Sequence, residues 1–336
     1  MTQLRGDVPR LMGLLRKYEP RVRDAFMAAI LAARSSVNLA EVEAALSSGN
    51  LQRAVDLLTL DQALLFPLDL ALVEAYVAGG QMIAQGAPAR AGIFGFDGRH
   101  VRAEEWARKY VGALVREIVA DQRVMLRQTI EAQIVAGRNP RAIAREITGR
   151  VDRLTQRRTG GYIGLTEHQA RVAERARAEL ASLDPAYFQR KLRDRRFDPT
   201  VRKAIAEGKP LPTAMVDKIA GRYRDGLLRN RGETIARTES ITALRAGRRE
   251  GIMQAVEQGV IRSDRLKRVW DATLDKRTRP EHAAQDGQAV EGMDAPHVLR
   301  DGSRMMYPGD ASLGAPAAQT IQCRCFERFD VDWLRA

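Results

Sequence analysis

Trp270-Asp271-Ala272-Thr273-Leu274-Asp275 runs into Arg277-Thr278-Arg279-Pro280-Glu281-His282, then Asp286-Gly287, and about forty residues later comes Cys323-Arg324-Cys325-Phe326. The two cysteines are the only ones in the chain, and one residue separates them. Val269 to Leu274 alternates as a strand does, with Trp270 as a large buried anchor. Asp275 to Pro280 reads as a turn in which Asp275 and Thr278 can bond nearby backbone N–H groups. Glu281-His282 opens a short helix, and Gly287 permits the left-handed conformation that would end it. After a loop holding His297, Met306 to Asp310 and Gly314-Ala315-Pro316 are turns, and Gln322 to Phe329 is a final strand. A small α+β unit is therefore expected here, unlike anything upstream.

Working outward, the rest of the chain reads as helical. At 336 residues, with 45% hydrophobic and only 5% aromatic residues, it can bury a core and favours helices rich in Ala, Leu, Ile and Arg. The fold class expected is mainly α, an extended helical N-terminal and middle region with a small α+β C-terminal module. Val8 to Leu46 is helical with weak breaks at Pro20 and Ser35-Ser36, and a turn at Ser47 to Asn50 precedes a helix-like stretch through Leu65. Gly79 to Gly98, with Gly92, Gly95, Gly98, Phe94 and Phe96, reads as a dividing loop. From Ala103 a helix carries Trp106, Tyr110, Leu114 and Ile118 on one apolar stripe. Asn139 caps and Pro140 opens another, in a helical hairpin that a DNA-reading helix-turn-helix would imitate. After Gly160-Gly161, Thr166 caps a helix to about Leu183, with His168 in its polar first turn. These breaks divide the chain into residues 1–98, an N-terminal helical region, 99–230, a basic helical region, and 231–336, the C-terminal module.

Two helices precede the tail. The first, from Thr213 through Asn230, carries Ile219, Tyr223 and Leu227 on one face, and the second places Ile241, Leu244, Ile252 and Val256 on one stripe. Arg237 falls on that stripe, where a guanidinium needs acceptors. It is therefore expected to be an internal tether paired with Asp275 or Asp286.

A net charge of +13, mostly from arginine, attracts polyanions with a steep dependence on salt. The densest basic stretch, Arg190, Lys191, Arg193, Arg195, Arg196, Arg202 and Lys203, is the expected DNA-binding face if it is not simply a solvated linker. Without zinc-finger spacing, an RNP motif or a phosphate-cradling Gly loop, contact with nucleic acid would go to the backbone. Leu58 to Leu70 is too short and polar to span a bilayer, and Met1 to Arg10 lacks the order of a secretion signal, so no membrane partner and synthesis in a cytoplasm are expected.

Ile235-Ala236-Arg237-Thr238-Glu239, Trp270, Asp275 to His282, Asp286-Gly287, Tyr307-Pro308-Gly309-Asp310, Gly314 to Ala317 and Cys323-Arg324-Cys325, in this order and spacing, resemble the phage head morphogenesis family, the Mu F-like minor capsid proteins. The resemblance covers roughly the last third of the chain. It implies a minor head protein of a tailed phage or prophage, made in the host cytoplasm and carried into the virion at the capsid interior or portal vertex. Its implied partners are the portal protein, other capsid or scaffold proteins, and DNA, and no enzymatic activity is implied. The residues expected to build the module are Arg237, Glu239, Trp270, Asp275, Arg279, Asp286 and Gly287.

His282, Cys323 and Cys325 supply three zinc-type donors, with Asp275 as the candidate fourth. Certain relatives resemble a fuller set, with a Cys pair at the positions of Arg279 and His282, so zinc and a metal-free module both remain open. A disulfide between residues so close would be strained. Asp275, His282 and Asp286 could alternatively form a metal-dependent nuclease centre. The third reading is a DNA-binding accessory protein without a capsid role.

Overall fold

The computed structural model describes residues 2–3, 7–88 and 94–333. It is mainly helical with small antiparallel sheets, and it divides into two compact units, each drawn from separated parts of the chain. The units do not follow the three consecutive segments expected. One comprises Met1–Asp24, Leu68–Gly112 and Glu233–Ala336, the other Ala25–Pro67 and Ala113–Gly232. The two helices expected around residue 230 are one continuous 45-residue helix, Thr213–Glu257, whose N-terminal part belongs to the second unit and C-terminal part to the first. Asn230-Arg231-Gly232 carries no proline or cap there, and one glycine costs a helix only about 1 kcal/mol.

In the first unit the tail forms a four-stranded antiparallel sheet ordered Thr2–Gln3, Phe326–Val331, Lys267–Asp271, Ala289–Glu291. Its register sets Trp270 opposite Glu327 and Arg268 opposite Phe329. Ile252, Ala255, Ile261, Leu266, Phe329 and Val331 pack with Ile83 and Phe94 as one core, and Trp270, Leu299, Met305 and the two cysteines form another.

The dividing loop expected from Gly79 begins later, because the Phe66–Gly86 helix runs through Gly79 and Gly80. These glycines make a close crossing. A Cβ on Gly79 would overlap the Leu244 carbonyl, one on Gly247 the Tyr76 carbonyl, and one on Gly251 would lie 2.9 Å from the Gly80 oxygen. They are packing glycines, not helix stops. Gly92 lies outside the described residues. By length and composition one stretch among the described residues, Leu51–Gly86, is apolar enough to cross a membrane, but half of its most apolar part is buried against the rest of the chain.

The stripe expected from Ala103 is interrupted by a π-turn at Ala107–Val111. Trp106 stacks on Tyr76 and on Tyr110, with ring centroids 4.4 and 5.2 Å apart. Beyond the turn the register slips by one, so Val111, Val115 and Ile118 are buried and Leu114 only half-buried.

In the second unit local signals read as expected. Asn139 accepts from the Ala142 N–H at 2.8 Å, and Pro140 opens a helix that buries Ile143, Ala144 and Ile147. Thr166 and Gln169 form a reciprocal capping box at the start of Glu167–Ala181, and His168 is exposed. Arg34, 1% exposed in the core of this unit, is held by the carbonyls of Gly161 and Ile163 at 2.8–3.1 Å.

Candidate metal centre

The turn after Trp270 is built as its residues require. Arg277 N–H donates to the Asp275 carboxylate at 2.8 Å, Asp275 N–H to the Thr278 hydroxyl at 3.1 Å, and Pro280 takes the first position of the Pro280–Ala284 helix. Asp286 accepts from Ala272 N–H at 2.8 Å, and Gly287, at φ +74°, donates to the Trp270 carbonyl. His282 is thereby buried edge-on to Trp270, with centroids 5.3 Å apart.

The cysteines precede the last strand, which starts at Phe326 and not at Gln322, so they do not alternate on a strand. Gln322 adopts φ +54° and its N–H is taken by the Thr238 hydroxyl at 3.1 Å. This bend still turns both sulfurs to one side. His282 Nδ1 lies 3.7 Å from Cys323 Sγ and 3.4 Å from Cys325 Sγ, and all three residues are buried. Tetrahedral zinc, at about 2.3 Å from sulfur and 2.0–2.1 Å from nitrogen, would set S and N about 3.6 Å apart. The donor set thus fits the ion. The hydrogen bond from Cys325, with Arg245 and His282 nearby, draws the Cys323 thiol well below its usual range against the effect of burial. The Cys325 thiol is correspondingly pushed up by its bond to Cys323 and by burial.

Asp275 is not the fourth ligand. Its carboxylate is a bidentate partner of Arg324 on the surface, and that bond holds it well below the usual carboxylate range. Among the described residues no other His, Cys, Asp or Glu completes the cluster. Asp275 and Asp286 are not brought to His282, so the nuclease triad does not assemble. Arg279, at the position where certain relatives offer a cysteine, instead donates to the Ile321 carbonyl at 2.6 Å.

The expected tether is also corrected. The Arg237 side chain is 41% exposed and lies 3.5 Å from Glu19, on an edge of the helix that neither Asp275 nor Asp286 reaches. Arg245, two turns later and 3% exposed, does the tethering. It donates to the carbonyls of Pro308 at 2.8 Å, Cys323 at 3.2 Å and Cys325. Glu239 accepts from the Tyr110 hydroxyl at 2.8 Å.

Beside this clamp lies an ionic cluster that the sequence reading missed. Arg268, fully buried, pairs with Glu327 at 3.0 Å and donates to the carbonyls of Gly292, Ala295 and Met306. The buried His297 ring meets the same Glu327 oxygen at 3.0 Å, and Arg248 donates to the Glu327 carbonyl at 2.9 Å. The one sequence signal was period-two alternation, which puts Arg268 on the same face as Trp270.

The basic stretch 189–203 is largely paired with itself and its neighbours. Arg190 forms a bidentate pair with Glu179, Arg193 with Asp198 and Arg196 with Asp194, and Arg202 and Lys203 face Asp198 and Glu207. Only Lys191 and Arg195 of the seven make no ion pair among the described residues.

A family model described as Phage Mu protein F like protein matches residues 189–327, so that segment, less than half of the chain, is similar to the Mu F-like proteins. The match begins well before the module expected from residue 231 and takes in the basic stretch and the whole long helix. No curated protein and no solved structure matches the chain.

Proposed function

We propose that this protein is a minor head protein of a tailed phage or prophage, acting beside the portal during procapsid assembly and touching DNA through its backbone. The observation that carries the reading is the family match over 189–327, the segment in which Arg245, Arg248 and Arg268 tie short strands and turns into one unit. The acids of the alternative nuclease centre are meanwhile occupied, Asp275 by Arg324 and Asp286 by the Ala272 N–H.

Co-expression with the portal protein tests the reading. The two should co-purify after nuclease treatment, and a protein recovered only with DNA would sink it in favour of a DNA-binding accessory role. Plasmid incubated with Mg²⁺ or Mn²⁺ should stay intact; cleavage lost in His282→Ala would restore the nuclease.

A zinc ion held by His282, Cys323 and Cys325 is part of the same proposal, supported by the convergence of the three donors. It would supply a structural cross-link between the short helix and the segment before the last strand. Emission spectrometry should find close to one zinc per chain, and chelation should lower the melting temperature. Folded, metal-free protein whose melting ignores chelator would remove the zinc and leave the head-assembly reading standing.

A further inference from the structure

The second compact unit contains a cavity of about 990 Å³, framed by the hairpin of Arg150–Val151 and Arg158–Thr159 and by the N-terminal part of the long helix. Its frame depends on close backbone approach. Gly160, at φ +73°, leaves no room for a Cβ, which would sit 2.9 Å from Gly221 Cα, and Gly149, at φ +87°, abuts the Thr159 carbonyl. At its base Arg224, 4% exposed, lies over the Tyr162 ring at 4.5 Å and donates to Gly160 O at 2.6 Å and Glu146 at 3.1 Å. The cavity is thus rigidly built.

Eight of its lining side chains are Arg or Lys and four are Asp or Glu, an excess of four positive charges. The acids are already used: Glu146 by Arg138 and Arg224, Asp217 by Arg150 and Arg177, Asp152 by Arg222, Asp225 by the Gly160 N–H. What remains is uncompensated. Arg145 and Arg153 are exposed with no side-chain partner among the described residues, Arg158 donates only to Gly149 O and Thr148, and Lys218 meets only the Phe197 ring. Few apolar side chains and no aromatic ring line the space, so neither an apolar ligand nor a stacked base finds a surface. Planar guanidinium forks with no acceptor suit phosphate oxygens.

We propose that this cavity, and not the 190–203 stretch, is where the protein holds the phosphodiester backbone of a DNA duplex, without reading sequence. The inference rests on the DNA contact in the function proposed above and gives it a place. Three cations, Arg145, Arg153 and Lys218, carry it, because each is free of a carboxylate and each lines the same cavity.

The test is fluorescence anisotropy on the full chain with a mixed-sequence duplex of about 20 base pairs across a salt series. Replacing all three by alanine (Arg145→Ala, Arg153→Ala, Lys218→Ala) should weaken binding at least about tenfold at ~0.1 M salt and lower the slope of log K against log salt by about two to three. Lys191→Ala with Arg195→Ala should leave both unchanged. All five side chains are exposed, so melting temperatures should match the parent. Absence of duplex binding by the parent overturns the proposal, as does greater loss in the 191/195 variant. Displacement by inorganic phosphate at matched ionic strength would assign the cavity to a small anion, and tighter binding of single-stranded RNA would assign it to RNA; either overturns the duplex. Portal co-purification stands or falls independently of all these outcomes.

Discussion

At Arg245 a charge sits 3% exposed with three backbone carbonyls for company. Carbonyls carry partial charge only, so their geometry must be good to offset desolvation of the guanidinium. Removing it leaves buried acceptors unsatisfied, and Arg245→Ala is expected to cost about 3 kcal/mol in urea unfolding. Arg237→Ala is the control. Its side chain is 41% exposed beside Glu19, and loss of that pair should cost at most about 1 kcal/mol after solvent screening. Comparable losses in the two variants would remove the distinction between clamp and rim. A pH effect belongs at this scale too. Burial, with Glu146 nearby, raises the Glu174 pKa, while the Tyr162 hydroxyl bonds the carboxyl. A group whose folded pKa is raised favours folding below its unfolded value and loses that contribution as pH rises through the folded value. The parent should therefore gain stability relative to Glu174→Gln as pH falls toward the usual glutamate range, read from melting curves at several pH values. A difference that does not change with pH would place Glu174 in solvent.

At the scale of elements, packing overrides propensity where two helices cross through glycine. Gly247 lies inside a helix, where alanine should gain about 1 kcal/mol on propensity alone. Its missing Cβ, however, makes room for the Tyr76 carbonyl, which is backbone and cannot swing aside. Overpacking typically costs about 1–3 kcal/mol, so Gly247→Ala should be destabilising on balance, and a raised melting temperature would show that the crossing is loose. The same residues explain what was legible in the sequence. Caps at Asn139 and Thr166, the turn at Asp275 and the left-handed Gly287 depend on neighbours within a few positions, and each stands as read. Gly79 and Gly80 read as a loop because the groups they make room for, the Leu244 carbonyl and the Phe96 ring, are not neighbours in sequence. Arg245, Arg248 and Arg268 went unnoticed in the sequence because their acceptors come from loops dozens of residues away. The convergence of His282 with the cysteines was legible from donor types alone, whereas the loss of Asp275 to Arg324 required the fold.

For the whole molecule the decisive element is the Thr213–Glu257 helix, to which both compact units contribute residues and which the family match contains entirely. Asn230 marks where the sequence suggested a boundary, and it is exposed, so a change there removes no core contact. In a linker, proline at this position would be neutral or mildly stabilising through the unfolded chain. In a continuous helix it removes one backbone hydrogen bond and clashes with the carbonyl four residues back, at about 3 kcal/mol or more. Asn230→Pro should therefore lower stability by that amount, whereas Asn230→Ala, which keeps the N–H and improves propensity, should not. Urea unfolding of the pair separates the cases, because equal midpoints would mean two helices with a joint at residue 230.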